Sequence, residues 1–192
     1  MVGPSGRVGS DGAGGALSQN AGFRMVGAGA GAVVLDDQDR IIEAGFVCTN
    51  VPGRQTVPRA EAWAFYTILK LWHGRLPLTI VVDASYVCNG LKHHRRSKYL
   101  EGYNSDVWRL IYEKLDPMEI QPVAVKIKSH IDATHLRHRD YPRGWILVNE
   151  AADAATGIKA DHQGPRTVEV SWDEGKRATH NKVCLRLSAI EQ

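Results

Sequence analysis

The fold is decided by one stretch of sequence, Thr79-Ile80-Val81-Val82-Asp83-Ala84-Ser85-Tyr86-Val87. It opens with four β-branched residues, three of them apolar, of the kind that fill a buried strand. Asp83 follows at once, where that strand should leave the sheet. A carboxylate there is costly unless something positive meets it. Asp83 is therefore either the N-cap of the next helix or one member of a charged site.

The overall composition indicates a globular protein of one domain with a tail. The chain has 192 residues, a hydrophobic fraction of 43% and a net charge of +3, which permits a nucleic-acid partner without demanding one. Cys48, Cys88 and Cys184 are widely spaced and odd in number, as expected of reduced thiols. With no signal peptide and no membrane-length apolar run, we expect an intracellular protein, cytoplasmic or nuclear, without a membrane partner.

Hydrophobic periodicity predicts strands and helices on both sides of this stretch. Residues 1–31 are rich in Gly, Ala and Ser and look like a linker, with a turn signal at Ser10 to Gly15. The predicted elements are a hairpin of Gly29–Leu35 and Arg40–Thr49, a helix over Arg59–Trp72, the strand Thr79–Val82, helices near Tyr86–Leu91 and Asp106–Leu115, a strand over Val123–Lys128, and a helix capped by Asn149 over Glu150–Ala155.

Two further features of the chain have alternative interpretations. Glu61 lies four residues before Phe65, at the edge of an apolar helical stripe, so it points toward the core side or is a first-turn Glu favoured by the helix dipole. The basic run from Lys92 to Lys98 is either a solvated loop or a track for a phosphate backbone.

The order of these elements and acids resembles the ribonuclease H family, type 1. The resemblance covers about residues 7–157, and its motifs are specific only in their combined order and spacing. The matching stretches are Ser10-Asp11-Gly12-Ala13, Arg59-Ala60-Glu61, Val82-Asp83-Ala84-Ser85-Tyr86-Val87, Asn104-Ser105-Asp106-Val107-Trp108, Lys128-Ser129-His130 and Asn149-Glu150-Ala151-Ala152-Asp153. The helical Glu precedes the strand Asp, which separates this family from integrases and transposases of similar fold.

The resemblance implies an α/β ribonuclease H-like fold, with a mixed five-stranded sheet flanked by helices. It implies an endonuclease that hydrolyses the RNA strand of RNA–DNA hybrids with two Mg²⁺ ions, for which Mn²⁺ can substitute. Hard cations take oxygen ligands, and acids crowded in one pocket would repel each other without them. By resemblance, Asp11 bridges both metals, Glu61 and Asp83 complete one site, and Asp153 serves the other.

His130 matches the family's mobile histidine, which assists the attacking water or product release, although a surface-loop histidine is the alternative. The predicted contacts to nucleic acid are Thr56, Arg59, Lys92, Arg95, Arg96 and Lys98. The Asn residues that the family places just before Arg59 are replaced by Val57 and Pro58, which bears on how the DNA strand is recognised.

The ends of the chain depart from the family. Few apolar residues precede Asp11, so we expect a shortened first strand in a domain spanning 1–157. Residues 158–192 are a tail of unknown role. The weak first strand and the tail suggest a segment of a retroelement polyprotein, linked to a reverse transcriptase, as readily as a free-standing enzyme.

Two other functions remain possible from the sequence. A catalytically inactive module of this fold could bind hybrid or duplex nucleic acid, although a binder has no need of the acids. A zinc-binding interaction domain could use His135, His138 and the cysteines, although their spacing matches no structural zinc site.

Overall fold

The computed structural model describes residues 6–13, 27–35, 41–72, 77–128 and 141–163. Within these residues, the predicted strands and helices occur in the predicted order, together with one short helix, Arg96–Glu101, that was not predicted. The strands are β1 (Gly6–Ala13), β2 (Gly27–Leu35), β3 (Ile41–Asn50), β4 (Leu78–Val82) and β5 (Val123–Lys126). The helices are α1 (Val57–Leu71), α2 (Ser85–Gly90), α3 (Arg96–Glu101), α4 (Ser105–Leu115) and α5 (Arg143–Gln163), with a 3-10 turn at His93–Arg95 before α3.

The strands form one mixed sheet in the order β3-β2-β1-β4-β5. β3, β2 and β1 pair antiparallel, whereas β1, β4 and β5 pair parallel. The predicted mixed five-stranded sheet with an antiparallel side is therefore confirmed. In the part of the chain described, no helix is both long enough and apolar enough to cross a membrane.

One face of the sheet carries the main core. Phe65 of α1, Ile80 of β4 and Trp108 of α4 are all fully buried in it. The predicted stripe on α1 is confirmed, since Phe65, Ile68 and Leu69 are buried. Large apolar side chains thus pack α1 and α4 against β4. This packing fixes the position of the carboxyl end of β4, where Asp83 follows Val82.

The first strand differs from the prediction. β1 is eight residues long and pairs with β2 on one edge and β4 on the other, so the expectation of a shortened strand is wrong. Helices pack directly on the backbone of β1 at two of its glycines, Gly9 and Gly12. A Cβ on Gly9 would collide with the carbonyl of Val148 in α5, and one on Gly12 would collide with the backbone of α1 at Ala60 and Glu61.

Gly9 and Gly12 lie on opposite faces of β1, because alternate residues of a strand point to opposite sides. α5 therefore covers one face of the sheet and α1 the other. Extending β1 with large apolar residues through position 9 would push α5 away, and would not strengthen the strand.

α5 also differs from the prediction. It begins at Arg143, so Asn149 is not an N-cap but lies inside the helix, buried, with its backbone against β1. The helix continues to Gln163, past the predicted domain end at residue 157. Residues 164–192 lie outside the described part of the chain, and the role of the tail stays a prediction.

Candidate active site

The parallel pairing of β1 with β4 brings two of the predicted acids together. Ser10 is in register with Val82, and the residue that follows each of them in the chain is an aspartate, Asp11 and Asp83. Asp11 is still paired with Gly29 of β2, whereas Asp83 directly follows the end of β4. Adjacent parallel strands leave a sheet at the same edge, so the two carboxylates meet without any special loop.

Asp83 is not a helix cap. α2 begins at Ser85 with Ala84 at its N-cap position, and no side chain caps it. The interpretation of Asp83 as the N-cap of this helix is therefore wrong. Its carboxylate is half-buried and belongs to the acidic cluster.

Glu61 is delivered to the same place by α1. Because Gly12 has no side chain, the backbone of α1 at Ala60 and Glu61 packs directly on β1, next to Asp11. Glu61 lies beyond the first turn of α1, which contains no acid, so the dipole interpretation of this residue is wrong. It is buried, with 6% of its surface exposed.

Three of the four predicted acids form one cluster. Asp11, Glu61 and Asp83 each offer a carboxylate oxygen, and these three oxygens lie within 4.8 Å of one another. Asp153 stands on the exposed side of α5, close enough for its charge to act on Asp11. Acids that are far apart in the sequence thus lie together at the carboxyl end of β4.

Burial and crowding make the two inner carboxyls weak acids. Burial raises the pKa of Asp11 to about 6, and the charges of Asp83 and Asp153 add to the rise while a hydrogen bond from Thr156 opposes it. Burial likewise raises the pKa of Glu61 to about 10, reinforced by Asp11 and Asp83. Glu61 is thus protonated at neutral pH until a positive charge enters the cluster.

The cluster fits a divalent cation. Glu61 Oε2 is buried without a hydrogen-bond partner, and such an atom is costly unless something meets it. The donors are all carboxylate oxygens, which suit a hard ion such as Mg²⁺ or Mn²⁺ better than a soft one. Asp11, Glu61 and Asp83 could hold one ion, and Asp153 could join Asp11 around a second.

Sequence reasoning missed Thr156, which contacts the cluster directly. Thr156 Oγ1 lies 2.9 Å from Asp11 Oδ2, and the threonine is fully buried. Its position three residues after Asp153 was a usable signal, because residues three apart share a helix face. Threonine is also a weak helix former, so its presence in an alanine-rich helix invites an explanation.

His130 lies outside the described residues, as do His135 and His138, so the predicted role of His130 stays a prediction. Cys48 and Cys88 are free thiols. Among the described residues, the group of side chains that could hold a metal ion is the cluster of Asp11, Glu61 and Asp83.

A groove lies beside α2, the helix that follows Asp83. Its volume is about 680 Å³. Tyr86 and Tyr99 form one wall, and their rings lie 5.2 Å apart between centroids. The lining residues are Arg54, Thr56, Pro58, Tyr86, Lys98, Tyr99, Gly102, Tyr103 and Asn104. Two of the predicted nucleic-acid contacts, Thr56 and Lys98, are thus brought into one groove.

The wall of this groove is held by hydrogen bonds. The hydroxyl of Tyr86 accepts from Trp108 Nε1 at 2.6 Å and from Asn104 Nδ2 at 3.1 Å. Tyr99 donates its hydroxyl to the carbonyl of Tyr86 at 3.0 Å. The aromatic surface is therefore preorganised, whereas Tyr103 at the edge is 88% exposed.

The remaining predicted contacts divide into two groups. Lys92 and Arg95 are exposed. Arg59 is buried and donates to both carboxylate oxygens of Asp106, at 2.8 and 2.5 Å, which ties α1 to α4. Arg96 donates in the same way to Asp116, at 2.7 and 2.5 Å, and lies over the ring of Tyr112. These two guanidinium groups already have protein partners.

The folded chain was compared with known proteins. No family model matches the sequence, and no curated protein matches it either. Among solved structures, the PFV RNase H domain is 16% identical over 81% of this chain and 94% of its own, with a TM-score of 0.57. Prototype Foamy Virus protease–reverse transcriptase is 16% identical with a TM-score of 0.58.

The second comparison covers 79% of this chain but 21% of the protease–reverse transcriptase chain, so the likeness is confined to one part of that protein. A further match, the foamy viral protease–reverse transcriptase in complex with RNA/DNA hybrid, is 15% identical over 79% of this chain and 20% of its own, with a TM-score of 0.51. At these identities, the shared property is the fold. The chain thus has an RNase H-like fold, an α/β fold with a mixed five-stranded sheet.

Proposed function

We propose that the protein is an endonuclease that hydrolyses the RNA strand of RNA–DNA hybrids, leaving 5′-phosphate and 3′-hydroxyl ends. The observation that carries this proposal is the convergence of Asp11, Glu61 and Asp83 within 4.8 Å, with Asp153 beside Asp11. Burial and neighbouring like charges raise the pKa values of Asp11 and Glu61, and such a crowded arrangement is unfavourable in itself and typical of functional sites.

The chemistry requires divalent cations, which when bound as a pair stabilise charge on the attacking and leaving oxygens of an in-line displacement. Asp11, Glu61, Asp83 and Asp153 are the residues proposed to hold them. Glu61 must lose its proton before its carboxylate can bind a cation, because its pKa is raised to about 10. Loading of the site is therefore expected to be proton-linked and to strengthen as pH rises.

The groove supplies a surface for the nucleic acid. Thr56 and Lys98 line it, and its aromatic wall is apolar and preorganised, which suits sugar and base faces. We assign further phosphate contacts first to Lys92 and Arg95, which are exposed. Arg59 and Arg96 each donate two N–H groups to a carboxylate, that of Asp106 and that of Asp116 respectively. Only their remaining N–H groups could meet a phosphate. Support for a hybrid substrate comes from the foamy viral relative, whose structure contains an RNA/DNA hybrid.

Asp83→Asn tests the catalytic proposal. The amide keeps the shape of the carboxylate but removes the charge that would hold a cation, so hybrid cleavage should fall by more than about a thousandfold. Folding by circular dichroism and hybrid binding should be largely kept. The matched control is Glu113→Gln, an exposed acid on α4, which should cleave like the parent.

The assay offers labelled RNA–DNA hybrid, double-stranded RNA and single-stranded RNA, each with Mg²⁺, with Zn²⁺ and with chelator. Cleavage of the hybrid alone, dependent on Mg²⁺, supports the proposal. If folded Asp83→Asn cleaves within tenfold of the parent, the metal assignment is wrong. A parent that binds hybrid but never cuts it would identify an inactive binding module instead.

The proposed phosphate contacts of the basic run from Lys92 to Lys98 have their own test. Arg95→Gln with Lys98→Gln should weaken hybrid binding for every sequence alike and lower the slope of log K against log salt by nearly one unit for each lost phosphate contact. Arg109→Gln with Lys114→Gln removes the same charge from exposed positions of α4 and is the matched control. Equal salt slopes for the two double variants would mean that the basic run is a solvated loop and does not contact phosphates.

We also propose that the domain acts beside a reverse transcriptase. Support comes from its likeness to one part of the foamy virus protease–reverse transcriptase. A reverse transcriptase segment in the same reading frame upstream would agree with this, and an unrelated coding sequence there would contradict it.

A further inference from the structure

We propose that Thr156 is a positioning residue for Asp11, which it holds through a hydroxyl–carboxylate hydrogen bond from α5. The inference rests on the proposed function, because it concerns how the chain arranges the carboxylate that would meet the cations. Thr156 is not expected to touch nucleic acid or to transfer a proton.

The geometry places one donor among three acceptors. Thr156 Oγ1 lies 2.9 Å from Asp11 Oδ2, 2.7 Å from the carbonyl of Ala152 and 2.9 Å from that of Asp153. A hydroxyl has a single proton, so it serves one of these acceptors at a time. The ionised carboxylate is the strongest of them, because charge-assisted hydrogen bonds are roughly twice as strong as neutral ones.

The bond matters because Asp11 stands among other acids. Asp83 and Asp153 both act on it with like charge, and burial adds to its cost. Without a donor, the carboxylate would be free to turn away from these neighbouring charges. A donor on α5 fixes the plane of the carboxylate while the unused lone pairs stay available for a cation.

α5 thereby has two opposite effects on the same carboxylate. Asp153 and Thr156 lie three residues apart and share one face of the helix. Asp153 brings a charge that repels Asp11, and Thr156 brings the donor that binds it. Docking of α5 against Gly9 sets the position of both at once.

The alternative is that Thr156 only bonds its own helix, as buried threonines often do. Thr67 of α1 has that arrangement alone, since its Oγ1 donates to the carbonyl of Trp63 at 2.8 Å. Thr67→Val is therefore the matched control for Thr156→Val. Both changes remove a hydroxyl with little change of shape, but only the second reaches Asp11. Thr156→Ser keeps the hydroxyl and is the conservative rescue.

The experiment measures Mn²⁺ binding to the full chain without substrate, by the loss of the free-ion signal in electron paramagnetic resonance. Thr156→Val should bind Mn²⁺ about 10- to 100-fold more weakly, the usual effect of removing an outer partner of a metal ligand. Thr156→Ser and Thr67→Val should stay within about threefold of the parent. Hybrid cleavage by Thr156→Val should recover when Mn²⁺ is raised in the same proportion.

Unchanged Mn²⁺ affinity in folded Thr156→Val would overturn the inference while leaving the proposed function in place. An equal loss in Thr67→Val would overturn it as well, since the effect would then be one of helix stability. If Thr156→Val does not fold, Thr156→Ala replaces it under the same criteria. A parent that neither binds Mn²⁺ nor cleaves hybrid would overturn the proposed function, and this inference with it.

Discussion

The two central strands β1 and β4 lie side by side, and they are buried by different means. β4 is the sequence Leu-Thr-Ile-Val-Val, with large side chains that fill the core on both faces. β1 is Gly-Arg-Val-Gly-Ser-Asp-Gly-Ala, and helices lie against its backbone at Gly9 and Gly12. A central strand can thus be buried by the approach of its neighbours as well as by its own side chains.

The difference has a functional side. Each strand contributes one aspartate to the cluster, but only β1 allows helices near enough to bring Glu61 from one face and Thr156 and Asp153 from the other. The large side chains of β4 hold the helices at the normal packing distance. The small residues of β1 therefore serve the site, and the large residues of β4 serve the core.

Gly9→Val should break this arrangement with the largest effect. The new side chain would collide with the carbonyl of Val148, which is backbone and cannot rotate away. We expect unfolding free energy to fall by more than about 3 kcal/mol, at the upper end for an overpacked core. Urea denaturation followed by circular dichroism measures this. A loss below about 1 kcal/mol would show that α5 does not need the glycine.

Val81→Ala makes the reverse change at the register partner of Gly9. Val81 is fully buried with Ile127 and Val148, so truncation leaves a cavity. We expect a loss of about 2 kcal/mol, by lost burial and not by collision. The same denaturation experiment checks it. Adding Val81→Ala to Gly9→Val should not rescue stability, because the collision is with backbone; rescue would place the strain in side chains.

The part of the pH dependence of stability that comes from Asp11 should be the smallest effect, and it tests whether β1 holds this acid in a crowded site. Glu61, whose pKa is also raised, adds a decline of its own in the same direction. The pKa of Asp11 is about 6 in the folded protein, above the usual 3.8, so the folded state binds more protons than the unfolded state between these values. Stability from this group is full below about pH 4 and is lost as pH rises through 6.

Without divalent cations, we expect Asp11 to account for a loss of roughly 1 kcal/mol between pH 5 and pH 8. The measurement is urea denaturation across this range for the parent and for Asp11→Asn, both in chelator. The variant should show the shallower decline. Equal declines in the parent and in Asp11→Asn would mean that Asp11 is not held in a buried, crowded site.

The comparison also explains which parts of the structure were predictable from the sequence. β4 and the apolar stripe of α1 were predictable, because burial by large side chains produces hydrophobic periodicity. The acids were found from their order along the chain and from the placement of Asp83 and Glu61 beside those apolar elements. These are signals that lie in the side chains themselves.

β1 was not predictable in the same way, because a strand buried by helix backbones has no hydrophobic signal, and glycine alone indicates linker. The start of α5 was misplaced for a related reason. Asn149 is a good N-cap residue by propensity, but its position inside the helix is set by packing against β1. Thr156 was missed because its partner lies 145 residues away in sequence.

The contact of α1 with Gly12 has a consequence for how this protein can change over evolutionary time. The spacing between Asp11 and Glu61 is set where one main chain rests on another, and no rotatable side chain lies between them. Mutational drift among the core residues around Phe65 and Trp108 can therefore proceed without altering the separation of the two acids. Sequence identity can fall very low across the core while the reactive geometry is inherited intact, provided that position 12 remains a glycine.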